Sequence, residues 1–371
     1  MKATILIIDD DDHFRKFMFR LLDSEYHVVE AASAEDARSI IKSISINLII
    51  LDMFLPGLSG IDFLRELREN HVTDVPVLIM SGAGDPDLIV QSFKMGVYDY
   101  IQKPERVEVI LRRIENGLKI GKMLRFNEEI RSELQMARHI QKLMMPEDRY
   151  EGDLVRIRWW MHPLTDIGGD MFDYILFRDG RVIFYVADVV GHSISAALYT
   201  MMVKMLFHNT VKITDKPGRI LTIMNDELNE TFPLGTFVTL FCGVLDPGKE
   251  ILEYASAGHE YPVLIGSNGP VELDRNQVIL GPRKNIDYVT ERVELRKGEA
   301  LFAFTDGLID KMDEKGNMMG KDPVKEVLDN GAAYEEKFSN LIDLALDESR
   351  YAIYDDCTIM YIENITGDED K

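Results

Sequence analysis

Five short apolar runs in the first third of the chain, TILII, HVVEAA, NLIILD, VPVLIMS and YDYIQKP, alternate with helical patterns such as FRKFMFRLL, IDFLRELR and LIVQSFKMG. Strands that are apolar throughout need cover on both faces, and helices between successive strands supply it. The expected fold from Ala3 to about Gly121 is therefore a doubly wound, five-stranded parallel α/β sheet.

In such a sheet the carboxyl ends of the strands share one edge, where ligands sit. The first run ends in Asp9 and Asp10, followed by Asp11 and Asp12; the third ends at Asp52, the fourth at Ser81, and the fifth leads to Lys103-Pro104. Packed carboxylates repel one another unless a cation compensates, and oxygen ligands suit Mg²⁺. With that ion and the Lys103 ammonium neutralising phosphoryl oxygens, Asp52 can act as a nucleophile on phosphorus. The Ser81 hydroxyl can donate to the product, and Tyr100 is placed to report the change by switching rotamer. Asp11 and Asp12 read as solvated acids at a helix start.

In ILIIDD, LIILDMFLPGLSG, VLIMSG and DYIQKP the segment resembles a response-regulator receiver domain. The resemblance implies that Asp52 is the phosphoacceptor, that Asp9, Asp10 and Asp52 hold Mg²⁺ with the Phe54 carbonyl, that Ser81, Tyr100 and Lys103 are the switch residues, and that a histidine kinase is the partner.

Between Glu105 and Met145 turn residues give way to charged helical sequence, interrupted by Gly117 and Gly121. Each glycine costs a helix roughly 1 kcal/mol against alanine, so a bend is expected there, and Pro146 ends the helix. Ile130, Leu134, Ala137, Gln141 and Met144 recur on one face. That face is either a coiled-coil seam for a homodimer or one that packs on the chain's own domains. Residues 122–149 are accordingly read as a helical linker between a 1–121 domain and a 150–371 domain.

The 150–371 part is strand-rich, in VIFYVAD, TFVTLFCGVLD, ILEYASAG, PVLIG, EALFAFTDG and CTIMYIE. Two helical patterns stand among the strands. Ile194, Leu198, Met201 and Met205 form the expected inner face of the first, and Leu221, Met224, Leu228 and Phe232 that of the second. The expected fold is an α+β sandwich, two sheets flanked by helices. Acids end or adjoin the strand-like runs: Asp170 in IGGD, Asp188 in VAD, Asp306 in FTDG, and Asp355 and Asp356 in YDDCT. Only the sheets can bring them together. Carboxylates without histidine or cysteine partners suit two Mn²⁺ or Mg²⁺ ions, which about 4 Å apart would activate a shared water for in-line attack on a phosphate ester. Asp188 is the candidate bridge, because the glycine three residues on allows a tight turn beside it.

In ARHIQKLMMP, IGGDMFDY, VADVVGHSISAAL, FVTLFCGVLD, SAGHEYPVLI, FTDGLID and DDCTIMYI, in this order, the second half resembles the metal-dependent serine/threonine protein phosphatases of the PPM superfamily, in the bacterial branch that regulates sigma factors. The resemblance implies that Asp188 bridges the metals, that the Val189 carbonyl joins it, and that Asp170, Asp306 and Asp355 complete the ring, with Asp356 as the alternative to Asp355. It implies as substrate a phosphoserine or phosphothreonine on an anti-sigma-factor antagonist. Ser193 and Ser256 depart from the family's usual Gly and Asn. His192 and His259 are each open to two readings, a general acid or a histidine that holds a turn.

A net charge of −22 argues against phosphate-backbone binding as the main activity and disfavours anionic membranes. Cys242 and Cys357 lie in apolar strand-like segments and read as reduced core residues. Without an apolar run of membrane-spanning length or a signal-peptide pattern, a cytoplasmic protein is expected. The expected function is a response regulator whose output is dephosphorylation of a protein. The alternative is an inactive, phosphatase-like adaptor under receiver control.

Overall fold

Strands too apolar to have an outer face organise the amino-terminal part of the chain. In the computed structural model, which describes residues 2–69, 75–82, 86–165, 167–191, 194–267 and 269–365, the chain divides into two compact units, Met1–Glu133 and Leu134–Lys371. In the first, β1 (Thr4–Ile8), β2 (His27–Ala31), β3 (Leu48–Leu51), β4 (Val77–Ser81) and β5 (Asp99–Gln102) form a parallel sheet in the order β2-β1-β3-β4-β5. Alternation along the strands feeds two cores. Leu6, Ile8, Ile49, Leu51 and Ile79 pack with α2 (Ala34–Ser43) and α3 (Gly60–Glu69), to which α4 (Pro86–Lys94) adds Leu88. Ile5, Ile7, Leu48, Ile50 and Leu78 pack with Met18 and Leu22 of α1 (Asp12–Leu22) and with Ile110 and Ile114 of α5 (Val107–Met144). Asp11 caps α1, accepting from His13 N at 2.8 Å, and Asp12 in the first turn pairs with Lys16 at 2.5 Å, so both behave as helix-start acids.

α5 runs as one continuous helix through Gly117 and Gly121. A Cβ on Gly117 would lie 2.7 Å from Leu48 Cδ1 and 3.2 Å from the Tyr98 ring, and one on Gly121 2.7 Å from Pro76 Cδ. The glycines let the helix lie close against the sheet, and that packing outweighs their propensity cost. The division between the units falls inside α5, which stops two residues before Pro146.

The second unit contains two antiparallel sheets. One has the order β14-β11-β10-β9-β8, from β8 (Asp170–Leu176), β9 (Val182–Val189), β10 (Val238–Asp246), β11 (Ile251–Ala257) and β14 (Glu291–Glu294). The other, β13-β12-β15-β16-β7-β6, uses β6 (Arg149–Glu151), β7 (Val155–His162), β12 (Val263–Gly266), β13 (Gly269–Glu272), β15 (Ala300–Phe304) and β16 (Cys357–Asn364). Phe172, Phe184, Val186 and Phe241 of the first meet Ile157, Ala303, Met360 and Ile362 of the second in the core between them. The outer face of the first sheet carries α6 (Ile194–Val211) and α7 (Pro217–Thr231); that of the second carries α8 (Asp322–Asp329) and α9 (Tyr334–Leu346). The result is the sandwich flanked by helices that the strand pattern implied. Cys242 and Cys357 are both buried and free.

The α7 face is as expected: Leu221, Met224 and Leu228 are buried, and Phe232 packs at its edge. The α6 face is not. Its buried residues, among those described, are Ala196, Ala197, Thr200, Val203, Phe207 and Thr210, whereas Leu198 and Met205 are 56% and 62% exposed. Apolar residues occupy both sides of this helix, so the pattern did not single out the inner one.

Candidate active site

At the carboxyl edge of the parallel sheet, Lys103 joins the ends of β1 and β3: its Nζ lies 2.5 Å from Asp9 Oδ2 and 2.9 Å from Asp52 Oδ1, 3.8 Å from the centroid of the Phe14 ring. The other Asp52 oxygen accepts from Phe54 N at 2.7 Å. Asp9 Oδ1 accepts from Asp11 N at 3.0 Å, and burial raises the Asp9 carboxyl above its usual range against the opposing pull of Lys103. Asp10 is exposed beside it, and the buried Ser81 accepts the Lys103 N–H at its carbonyl, 2.8 Å away. Tyr100, partly buried, sits opposite Ile79 in the β4–β5 register. The arrangement can hold a carboxylate nucleophile beside a cation and oxygen ligands.

The second constellation grows from strand register. Asp170 on β8 pairs with Asp188 on β9, and Asp188 with Thr239 on β10. Opposite residues of antiparallel strands share a face. Phe172, Val186 and Phe241, two residues away on each strand, belong to the core between the sheets. Asp170, Asp188 and Thr239 therefore form the polar mouth of that core.

The opposing sheet closes the mouth. Thr305 Oγ1 and Thr358 Oγ1 both donate to Asp170 Oδ2, at 2.7 Å each, across the gap. Beyond them stand Asp306, in a single helical turn (Asp306–Leu308), and Asp355 and Asp356. A Cβ on Gly307 would lie 2.0 Å from the Asp356 carbonyl oxygen, so only glycine lets the Asp306 turn lie against the Asp355–Asp356 backbone. Likewise a Cβ on Gly169 would lie 2.5 Å from the Val189 carbonyl oxygen, so glycine there lets the loop before Asp170 close on the end of β9, where Val189 N donates to Gly169 O at 3.0 Å.

The two final acids differ in use. Asp356 is buried and accepts from Leu164 N at 2.7 Å and Gly169 N at 2.5 Å, tying down the loop before Asp170. Asp355 accepts from Asp356 N at 2.8 Å.

The acids feel one another. Burial, then Asp306, Asp355 and Asp356, pushes the Asp188 carboxyl up to about 7. Burial, then Asp355, Asp310 and Glu260, pushes Asp306 up to about 6. Burial and Asp188 raise Asp170 well above its usual range, against the two threonine hydroxyls. Among the described residues no cation is seen to offset these three carboxylates, and an all-oxygen donor set fits Mg²⁺ or Mn²⁺. Among the described residues no three acidic, imidazole or thiol groups already enclose a single point. That openness suits ions that keep much of their own water.

His259 is buried; its Nδ1 lies 3.2 Å from Thr239 Oγ1, and burial pushes the imidazole down to about 3. An imidazole neutral throughout the working range is a poor proton donor, which weighs against the general-acid reading of His259. His192 and Ser193 lie outside the described residues, and Ser256 is buried. Several contributors carried no chemical signal of their own: Thr305 and Thr358, Asp310 and Glu260, and Gln141. Only the threonines' places beside FTDG and DDC pointed to them. Gln141, near the end of α5, is buried, donating to Gly168 O at 2.8 Å and accepting from Gly168 N at 3.4 Å.

Comparison with known proteins places these two segments of the chain in families. Residues 5–115 match the response regulator receiver domain, and residues 178–364 match Stage II sporulation protein E. The phosphoserine phosphatase RsbU of Bacillus subtilis is 24% identical over 238 residues, 63% of this chain and 71% of that protein. The hydrogenase transcriptional regulatory protein HoxA of Cupriavidus necator is 32% identical over 136 residues, which span 35% of this chain and 28% of that protein. Among solved structures, the SiaA-PP2C domain of Pseudomonas aeruginosa shares the fold, with a TM-score of 0.54 and 22% identity, covering 64% of this chain and 98% of that one. The chain thus belongs to the Stage II sporulation protein E family of PPM-type serine/threonine protein phosphatases, with a response-regulator receiver domain ahead of the phosphatase domain.

Proposed function

We propose that the chain is a response regulator whose phosphatase domain removes phosphate from a serine or threonine of another protein, at a rate set by phosphorylation of Asp52. The observation that carries this reading is the gathering of acids at one mouth of the sandwich, where burial and neighbouring carboxylates, Asp355 among them, raise the carboxyls of Asp170, Asp188 and Asp306. An adaptor without turnover would have no need of that costly set of buried acids.

In this reading Asp188, the Val189 carbonyl, Asp170, Asp306 and Asp355 would together hold two Mn²⁺ or Mg²⁺ ions. When bound, the ions supply an activated water and positive charge for the phosphoryl oxygens. Water oxygen bonds to phosphorus as the bond to the serine or threonine oxygen breaks, and that oxygen leaves with a proton. Thr305 and Thr358 fix the Asp170 rotamer, and Asp356 holds the Gly168–Gly169 loop in place. In the receiver, Asp9, Asp10, Asp52 and the Phe54 carbonyl would hold Mg²⁺ while a histidine kinase's phosphoryl group passes to Asp52.

The path of control runs along α5, whose start packs in the receiver core through Ile110 and Ile114 and whose end engages Gly168 through Gln141. A turn of that helix would displace the loop that sets Asp170. The substrate proposed is a phosphorylated anti-sigma-factor antagonist, in keeping with the likeness to the phosphoserine phosphatase RsbU. The test is phosphate release from a phosphoserine protein in Mn²⁺, with and without beryllofluoride on the receiver. A changed rate is expected, and an identical rate would refute receiver control.

A further inference from the structure

The mouth of the sandwich is walled by carboxylates, and a substrate phosphoryl group brings further negative charge into it. Lys321 is a cation at the edge of this mouth: its charge opposes the rise that burial, Glu260 and Asp355 impose on Asp310, the neighbour of the Asp306 turn. Its ammonium lies 2.6 Å from Glu260 Oε2 and 4.7 Å from the centroid of the Tyr261 ring.

Both sides of this contact are anchored to the metal-site framework. Met319 N donates to Lys311 O at 2.8 Å and Gly320 N to Ile309 O at 2.9 Å, so the backbone leading to Lys321 runs beside Asp310. On the other side, Asn276 clasps the Glu260 loop, accepting from Gly258 N and donating to His259 O, each at 2.7 Å. The His259 ring rests on Thr239, in register with Asp188. Glu260 is thus suspended from the strand row that carries the proposed bridging aspartate.

The contact itself is poised to exchange. Despite the short separation, Glu260 Oε2 makes no hydrogen bond of acceptable geometry among the described residues, and the two side chains are about a third exposed, at 29% and 32%. A partly exposed ion pair of this kind is weak. A lysine ammonium offers three rotatable donors to phosphate oxygens. We propose that Lys321 is a substrate-binding residue of this phosphatase, held near the acids by its ion pair with Glu260 and exchanging that pairing for a hydrogen bond to a non-bridging oxygen of the incoming phosphoryl group. Glu260 then serves as a positioning residue that also repels anions lacking enough charge to displace it.

This inference rests on the phosphatase reading, and the experiment separates the two. Steady-state kinetics of the full chain in saturating Mn²⁺ are measured for a phosphoserine peptide and for p-nitrophenyl phosphate, with orthophosphate as competitive inhibitor and Mn²⁺ affinity by calorimetry. Lys321→Ala is expected to raise KM and the orthophosphate inhibition constant by roughly tenfold, the value of one charge-assisted hydrogen bond, with Mn²⁺ affinity unchanged. Lys321→Arg should restore most of the loss, and Glu260→Gln should tighten orthophosphate binding. An active wild type with unaltered KM and inhibition constant in Lys321→Ala overturns the inference and leaves the phosphatase reading standing. Loss of Mn²⁺ affinity in Lys321→Ala, or no tightening in a folded Glu260→Gln, also overturns it. A wild type that releases no phosphate from either ester overturns both.

Discussion

Asp355 and Asp356 share a peptide bond and face different tasks. Asp356 spends both carboxylate oxygens on backbone N–H groups of the loop before Asp170, whereas Asp355 adds its charge to Asp188 and Asp306. Replacing each separates the roles. Asp356→Ala leaves two backbone donors unsatisfied, and should lower stability to denaturant by about 2–4 kcal/mol. Asp355→Asn should leave the metal-free melting curve nearly unchanged and weaken Mn²⁺ binding at least about tenfold in calorimetry. Equal destabilisation by both would show that the neighbours are interchangeable supports.

Glycines decide how closely the elements approach, and they were the hardest signals to interpret from sequence. Gly117 is the instance: its missing Cβ makes room for Leu48 and Tyr98 under an unbroken α5. Gly117→Ala should therefore destabilise the receiver by about 1–3 kcal/mol, the cost of overpacking, although alanine is the better helix former. Increased stability in a thermal melt would show that the contact with Leu48 and Tyr98 leaves room for a methyl group. Strands were legible because continuous apolar runs admit few other solutions, as in the fully buried β3 and β4. The α6 face was not, because Leu198 and Met205 outside match Val203 and Phe207 inside in apolar character. The acids at strand ends stood out as anomalies after apolar residues. Thr305, Thr358 and Gln141 did not, since a hydroxyl or amide at those places looks ordinary until the opposite sheet or loop is in view.

Across the whole chain, charge gathered at one mouth links pH to metal binding. Native Asp188 and Asp306 hold their protons up to about 7 and about 6, while unfolded carboxyls release theirs near ~4. The metal-free native state binds more protons over that interval, so its stability should fall as pH rises through it. Divalent ions compete with the same protons. The rise in Tm on adding Mn²⁺ should accordingly be larger at about pH 8 than at about pH 5.5, as scanning calorimetry can read. The most direct measurement is the initial rate of phosphate release from a phosphoserine protein by the full chain in Mn²⁺, set against Asp188→Asn. The account predicts turnover that chelation abolishes and that Asp188→Asn lowers at least about 100-fold. An Asp188→Asn rate equal to wild type, or wild-type turnover indifferent to chelation, would contradict it.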